Sequence, residues 1–337
     1  MAVKMKYKIV LPDVKNVTFG DLELKIFEQF GDVVMYPTSK TEELQERLAD
    51  ADIILCNKTL LNRETLKKAQ ILKYIGLFAT GYNNVDMEYT KEKGIVVSNA
   101  GSYSTESVAQ HTFALILNHF NKISEYSRFT AEGEWKRSET FSPFIYPMGE
   151  LMGKTIGIVG FGSIGRKVAQ IARAFDMNVL VYSRNKEKAN CAVKEIFGDM
   201  VTGDERIRVV ELAELVSFSD VVTLHCPLNV QSEKMVNREL LAQFKKGAYL
   251  VNTARGGLVD EDALYEALEM EQLAGAALDV IDVEPMSENC RLISAKNITI
   301  TPHIAWAPFE TRQRLLSIVV DNLEGFLNGS PKNVVVG

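Results

Sequence analysis

Short apolar runs recur along the first hundred residues, each of a length that suits a β-strand: KYKIVL, DVVMYP, DIILCN, LKYIGLFAT and GIVVSNA. Helix-type stretches such as TEELQERLADA separate them, and this alternation predicts parallel βαβ units. Residues 104–120 break the rhythm. There Val108, Phe113, Ala114, Leu115, Leu117 and Phe120 predict a nearly all-apolar helix, long enough to cross between two domains, and the first domain boundary is placed at it.

Residues 132–150 carry Gly133, Pro143, Pro147 and Gly149 among Trp135, Phe141, Phe144 and Tyr146, and read as an excursion rather than a βα unit. Exposed aromatic loops of this kind pack on a partner subunit or lie over their own domain; the expectation here is a homodimer. A second alternating series opens at Lys154, with six strand candidates: TIGIVG, NVLVYS, DVVTLHC, AYLVNTA, AGAALDV and NITITPH. Near the C-terminus, Pro308 at a helix start precedes the amphipathic residues 310–327, and Asn328-Gly329 ends them. That helix is expected to return to the first domain, making it discontinuous.

The 337 residues exceed what one hydrophobic core organises, and 46% hydrophobic with 24% charged residues is the balance of a globular protein of two domains. A formal charge of -6, with the charges interspersed, leaves no basic face for nucleic acid. Cys56, Cys191, Cys226 and Cys290 are far apart, with neither a CxxC pair nor the His spacing of a zinc site; they read as reduced thiols in the cytoplasm, and no metal is expected. The opening MAVKMKYKIVLPDV is too short in its apolar run for a signal peptide or a membrane span.

The hexapeptide Gly160-Phe161-Gly162-Ser163-Ile164-Gly165 directly follows one strand candidate and precedes a good helix, RKVAQIARAF. In that context Gly160 permits a tight turn, Gly162 lets backbone approach a pyrophosphate, and Gly165 lets helix and strand pack closely. Six strand runs opened by such a loop match the doubly wound dinucleotide fold. At the end of the next strand stands Ser183-Arg184, where NAD sites usually carry an acid; an arginine suits the 2′-phosphate of NADP, so the cofactor is expected to be NADP in preference to NAD. The stretch 149–155, GELMGKT, resembles a P-loop but is one residue short and precedes a strand, so it reads as a turn.

Arg255 lies where the strand AYLVNTA runs out into Gly256-Gly257; Asp279 ends AGAALDV, with Glu284-Pro285 in the next loop. Ligands of open α/β sheets bind at such carboxyl ends. Taken singly, each of these residues reads equally well as half of a surface ion pair. Of the four histidines, His111 and His119 belong to the apolar helix and read as packing residues, His225 ends a strand, and His303 in Thr301-Pro302-His303-Ile304-Ala305-Trp306 is the candidate acid.

At these residues the chain resembles the D-isomer-specific 2-hydroxyacid dehydrogenases, from the first strand to the C-terminal helix. The resemblance rests on the glycine loop, the arginine segment 252–260, and the series Asp279, Glu284, His303. It implies an α/β protein with a flavodoxin-like substrate domain (1–101 and 306–337) and a Rossmann NAD(P)-binding domain (102–305). It further implies that Arg255, Glu284 and His303 are catalytic. Thr80-Gly81 would hold the substrate carboxylate through backbone amides, with Asn57-Lys58, Arg255 and Trp306 near the substrate. Gly160, Gly162, Ser163, Ile164, Gly165, Ser183, Arg184, His225-Cys226-Pro227, Thr253-Ala254 and Asp279 would line the cofactor site. The residues 81–86 and 302–307 look most like the glycerate dehydrogenase and hydroxypyruvate reductase branch.

The expected chemistry is reduction of a small 2-keto acid such as hydroxypyruvate or glyoxylate, and its reverse. Protonated His303 would give the keto oxygen its proton, Arg255 would bind the carboxylate, and Glu284 would favour the imidazolium form of His303. A D-lactate or general 2-ketoacid reductase, and a corepressor-like dinucleotide sensor without enzymatic activity, are the alternatives.

Overall fold

The computed structural model describes residues 7–198 and 206–336; Lys6, which opens the first expected strand, and the outermost positions 1 and 337 of the domain ranges lie outside them. The chain divides into two compact units, one of Met1–Ser104 with Ala307–Gly337, the other Thr105–Trp306.

The first unit begins with β1 (Tyr7–Leu11), β2 (Gly31–Met35), α1 (Thr41–Arg47), β3 (Ile53–Cys56), β4 (Tyr74–Leu77), α2 (Met87–Glu92) and β5 (Val96–Ser98). β3 and β4 are buried at every position, as central parallel strands covered on both faces must be. Asp86 caps α2, its side chain accepting from Tyr89 N at 2.9 Å.

The second unit follows with α3 (Thr105–Asn121), α4 (Ile123–Ala131), β6 (Thr155–Val159), α5 (Ser163–Ala174), β7 (Asn178–Tyr182), α6 (Lys186–Phe197), β8 (Ile207–Val209), α7 (Leu212–Phe218), β9 (Val221–Leu224), α8 (Arg238–Leu241), β10 (Ala248–Asn252), α9 (Glu261–Glu269), β11 (Leu273–Leu278) and β12 (Ile298–Ile300). The chain then returns to the first unit with α10 (Phe309–Leu327) and β13 (Val334–Val336).

In the first unit the strand order is β13-β5-β4-β3-β1-β2; β13 runs antiparallel to β5 and the other pairs are parallel. Without β13 this is the flavodoxin-like 2-1-3-4-5 order. The second unit has the order β12-β11-β10-β9-β6-β7-β8, all parallel, which contains the 3-2-1-4-5-6 dinucleotide-binding pattern with one added strand. Alternate residues of β10 feed opposite faces: Tyr249 and Val251 join α5 residues Val168 and Ala169, while Ala248 and Leu250 join α9 residues Leu264 and Leu268. The sheet is thus clad on both sides, leaving its carboxyl edge to carry loops.

Two strands go beyond the sequence reading. β8 is only three residues long, so no alternation develops, and β13 is a three-residue run of valines at the end of the chain.

Candidate active site

Strand order in the second unit reverses between β6 and β9, and the loops after both strands meet there. Gly160 has φ +98°, a conformation few residues with a Cβ adopt, and a Cβ on it would lie 2.6 Å from Cys226 N. A Cβ on Gly165 would lie 2.2 Å from the Gly160 carbonyl oxygen, so α5 and the loop touch through backbone. At Gly162, the N-cap of α5, a Cβ would meet nothing within 4 Å. The first-turn N–H groups of a helix lack intrahelical partners, and they carry the positive end of its dipole. An open cradle over the start of a twelve-residue helix fits a pyrophosphate.

His225 adds a second fit. Its Nε2 lies 3.0 Å from Thr223 Oγ1, while Nδ1 is buried with no partner among the described residues, and burial pushes the imidazole down to about 3. A neutral ring with one unsatisfied nitrogen at the switch point leaves a hydrogen bond for a bound cofactor. Cys226 is half-buried and Pro227 exposed beside it. At the end of β7, Ser183 is half-buried and Arg184 exposed; the Arg184 guanidinium donates to Gln231 Oε1 at 2.7 Å. Gln231, in the loop after β9, escaped the sequence reading because the contact spans 47 positions.

The next three strands along this edge carry the candidate chemistry. After β10, Asn252 braces the turn twice, its Nδ2 donating to Arg255 O at 2.8 Å and its Oδ1 accepting from Ala254 N at 3.0 Å. Thr253 Oγ1 pairs with Thr112 Oγ1 of α3 at 3.0 Å. The Arg255 guanidinium donates to Ala254 O at 2.6 Å, and no carboxylate among the described residues lies within 4.0 Å of it, so it is no surface ion pair. Gly256 sits so close to the Ile281 carbonyl that a Cβ would come within 1.9 Å, which clamps the arginine turn against the loop that leads to Glu284.

His303 Nδ1 lies 2.6 Å from Glu284 Oε2, and the two side chains are 25% and 32% exposed, so a ligand can reach the pair. Glu284 Oε1 also accepts from Ile281 N at 3.3 Å. With Nδ1 facing the carboxylate, Nε2 is the nitrogen left to face a reacting atom.

His303 has φ +55°, the left-handed region that costs a residue with a Cβ about 1–2 kcal/mol. Asp279, 1% exposed at the end of β11, holds it there. Its backbone carbonyl accepts from His303 N at 2.8 Å; its carboxylate accepts from Ile304 N and Ala305 N, both at 2.9 Å, and from Thr301 Oγ1 at 2.6 Å. His111 of α3 reaches the same cluster, Nε2 lying 3.0 Å from Thr301 Oγ1. That is a polar role where the sequence suggested only packing; the buried Ser107 and Thr112 on the same helix were the available signal. His119 does pack, stacked 3.8 Å from Tyr249, and burial lowers its pKa to about 4. Trp306, half-buried, follows this loop.

In the first unit, Asn57 is buried and its Nδ2 donates to Phe78 O at 2.5 Å, so its amide braces the chain just before Thr80 and Gly81. Asn99 Nδ2 donates to Thr80 O at 2.7 Å, and Thr80 Oγ1 donates to Gly101 O. The backbone N–H groups of Thr80 and Gly81 have no hydrogen-bond acceptor among the described residues. Lys58 lies in the loop directly after β3.

Residues 113–305 match the family model for the D-isomer specific 2-hydroxyacid dehydrogenase, NAD binding domain. A hydroxypyruvate reductase of Blautia hydrogenotrophica is 41% identical over 97% of this chain and 99% of its own length. Among solved structures, an acyclic imino acid reductase in complex with NADPH and D-Arg superposes with a TM-score of 0.81 at 31% identity, covering 98% of this chain and 100% of that one. D-lactate dehydrogenase of Aquifex aeolicus, complexed with NAD and lactic acid, has a TM-score of 0.82 at 29% identity, covering 98% and 99%.

Proposed function

The chain belongs to the D-isomer specific 2-hydroxyacid dehydrogenases, oxidoreductases that reduce 2-keto acids to 2-hydroxy acids with a nicotinamide cofactor, and from that premise we propose that it is an NADPH-preferring hydroxypyruvate and glyoxylate reductase. The observation that carries the catalytic reading is the His303–Glu284 pair at 2.6 Å, on the same sheet edge as an arginine with no carboxylate partner among the described residues.

When bound, the reduced nicotinamide supplies hydride to the keto carbon. His303, its Nδ1–H held by Glu284, gives a proton from Nε2 to the keto oxygen. Arg255 binds the substrate carboxylate and stabilises charge growing on the carbonyl oxygen, an effect of the kind that contributes about 2.7–4 kcal/mol per donor. Within the first unit, Thr80 and Gly81 offer N–H groups suited to a substrate carboxylate, with Asn57 bracing that turn through Phe78 O and Lys58 in the same loop as Asn57; within the second, Trp306 follows the His303 loop and is a further substrate-side residue. Gly160, Gly162, Ser163, Ile164 and Gly165 receive the pyrophosphate, while His225, Cys226, Pro227, Thr253, Ala254 and Asp279 line the rest of the cofactor site.

The preference for NADPH rests on Ser183-Arg184: a guanidinium oriented by Gln231, with no carboxylate within 4.0 Å among the described residues, suits a 2′-phosphate. A homodimer follows from the second unit's excursion, where Phe141 and Phe144 are 91% and 84% exposed and Trp135 also faces solvent, as does Ile123 of the preceding α4; a second copy would cover this apolar surface. Sedimentation of the protein before and after Phe141→Ser with Phe144→Ser tests that. Four thiols without a disulfide suit the cytoplasm.

The deciding assay follows reduced-cofactor absorbance with NADPH and NADH in parallel against hydroxypyruvate, glyoxylate and pyruvate. Fastest oxidation of NADPH with hydroxypyruvate or glyoxylate supports the whole proposal. Faster NADH removes the role given to Arg184, faster pyruvate turnover removes the substrate choice, and no turnover with any pair removes the catalytic reading.

A further inference from the structure

Strand order in the first unit reverses between β1 and β3, and ligands of open α/β sheets settle in the crevice at such a point. Here a side chain of the protein fills it. Asp13, two residues beyond β1 and 5% exposed, receives three successive N–H groups of the loop after β3. Lys58 N and Thr59 N reach Oδ2 at 2.7 and 2.9 Å, and Asn57 N is shared between Oδ1 at 3.1 Å and Oδ2 at 3.2 Å. Asn16 Nδ2 adds a longer contact at 3.4 Å. Consecutive N–H groups that converge in this way form an anion cradle, and an ionised carboxylate is the strongest acceptor a side chain offers it.

The loop fixed by Asp13 governs its neighbour. Asn57 Nδ2 donates to Phe78 O, and Phe78 N donates back to Cys56 O at 2.8 Å, so the chain enters residues 79–81 from a peptide held on both sides by the β3 loop. Because the N–H groups of residues 57–59 point at Asp13, they are withdrawn from any substrate anion, and Thr80 and Gly81 are the next N–H groups along this edge without an acceptor among the described residues.

We infer that Asp13 is a positioning residue for the substrate carboxylate: it sets the backbone of residues 57–59 and, through Asn57, the Thr80–Gly81 turn that receives the keto acid. This rests on the reading of Thr80 and Gly81 given above. Asp13→Asn keeps the shape but sets an NH2 group against the N–H cradle, so the loop loses its fixed register. The ordering that folding had completed must then accompany binding, which weakens substrate affinity rather than the proton or hydride step.

The test is steady-state kinetics of the full-length enzyme with hydroxypyruvate at saturating NADPH, alongside NADPH titration and thermal unfolding. Asp13→Asn raises the hydroxypyruvate KM at least tenfold, with kcat within about threefold and NADPH affinity within twofold of the unsubstituted enzyme. A merely structural role would lower kcat through a smaller folded fraction at unchanged KM, and that result overturns the inference. Should Asp13→Asn not fold, Asn57→Ala, which leaves the cradle's backbone N–H groups intact and cuts the tie to Phe78, must raise KM in the same way, and an unchanged KM there overturns the inference too. If the unsubstituted enzyme reduces no keto acid, the functional reading itself fails, and this inference with it.

Discussion

Gly162→Ala separates the room left over α5 from the packing beneath it. With φ −78° and ψ −164°, Gly162 has a backbone any residue adopts, and the added methyl meets no atom within 4 Å. Alanine is a poorer N-cap than glycine by up to about 1 kcal/mol, and the stiffer unfolded chain returns about 0.4–1 kcal/mol, so the melting temperature moves by no more than about 4 °C. Cofactor affinity behaves differently. A methyl keeps non-bonded atoms about 3.5–4 Å away, whereas a phosphate oxygen bonded to the helix N–H groups needs about 2.7–2.9 Å. Losing one such charge-assisted bond, at about 1.5–3 kcal/mol, weakens NADPH about 10- to 150-fold. Titration of NADPH fluorescence with the variant, beside its thermal melt, reads both quantities. Gly165→Ala is the contrast: its Cβ would lie 2.2 Å from the Gly160 carbonyl oxygen, so overpacking of about 1–3 kcal/mol lowers the melting temperature by about 2–12 °C. An NADPH dissociation constant within twofold of the unsubstituted value for Gly162→Ala, in a protein that melts normally, refutes the placement of the pyrophosphate.

His303→Ala loses about 10² to 10⁴-fold in kcat while NADPH affinity stays within twofold; near-normal turnover removes it as the acid. Glu284→Gln loosens the hold on His303 Nδ1, so kcat falls at least tenfold while NADPH affinity stays within twofold, and an unchanged kcat assigns Glu284 another task. Arg184→Ala raises the KM for NADPH at least tenfold and leaves that for NADH within threefold; equal losses with both cofactors contradict 2′-phosphate recognition. Burial holds His225 down to about 3 and His119 to about 4, so both are neutral in the folded protein while the unfolded chain takes up protons below about 6.5. Stability is therefore full above that pH and falls as pH drops towards 4, by at most about 1.4 kcal/mol per pH unit for His225, and a urea midpoint identical at pH 7.5 and pH 5 contradicts it.

Much of this was legible in one dimension. Apolar runs separated by helical stretches record the parallel strands because burial on both faces forces β-branched and aliphatic residues together, as in Ile53–Cys56. The glycine loop was legible because a tight turn, an open approach and a close helix contact each require glycine at a fixed offset. The family resemblance brought Arg255, Glu284 and His303 forward, and the structure supplies the 2.6 Å contact between the last two. What stayed hidden are groups whose partners are backbone N–H or hydroxyl groups elsewhere in the chain. Asp13 reaches residues 57–59 across more than forty positions, Asp279 reaches Ile304 across 25, and His111 meets Thr301 across 190. Such contacts impose no period, and an aspartate after a strand looks the same whether it faces water or a loop.

The last strand has a consequence for how the protein is made. β13 pairs with β5, Ser98 Oγ donates to Lys332 O at 2.8 Å, and Asn322 of α10 donates to Asn99 O at 2.8 Å, so the sheet begun by the first hundred residues is closed by the final thirty. On the ribosome, the contiguous unit Thr105–Trp306 has its whole sequence available before those residues are translated, while the unit begun earlier waits with the β5 edge exposed. The contiguous unit therefore has every residue it needs before the discontinuous one does, and the β5 edge has its antiparallel partner only once β13 has been made.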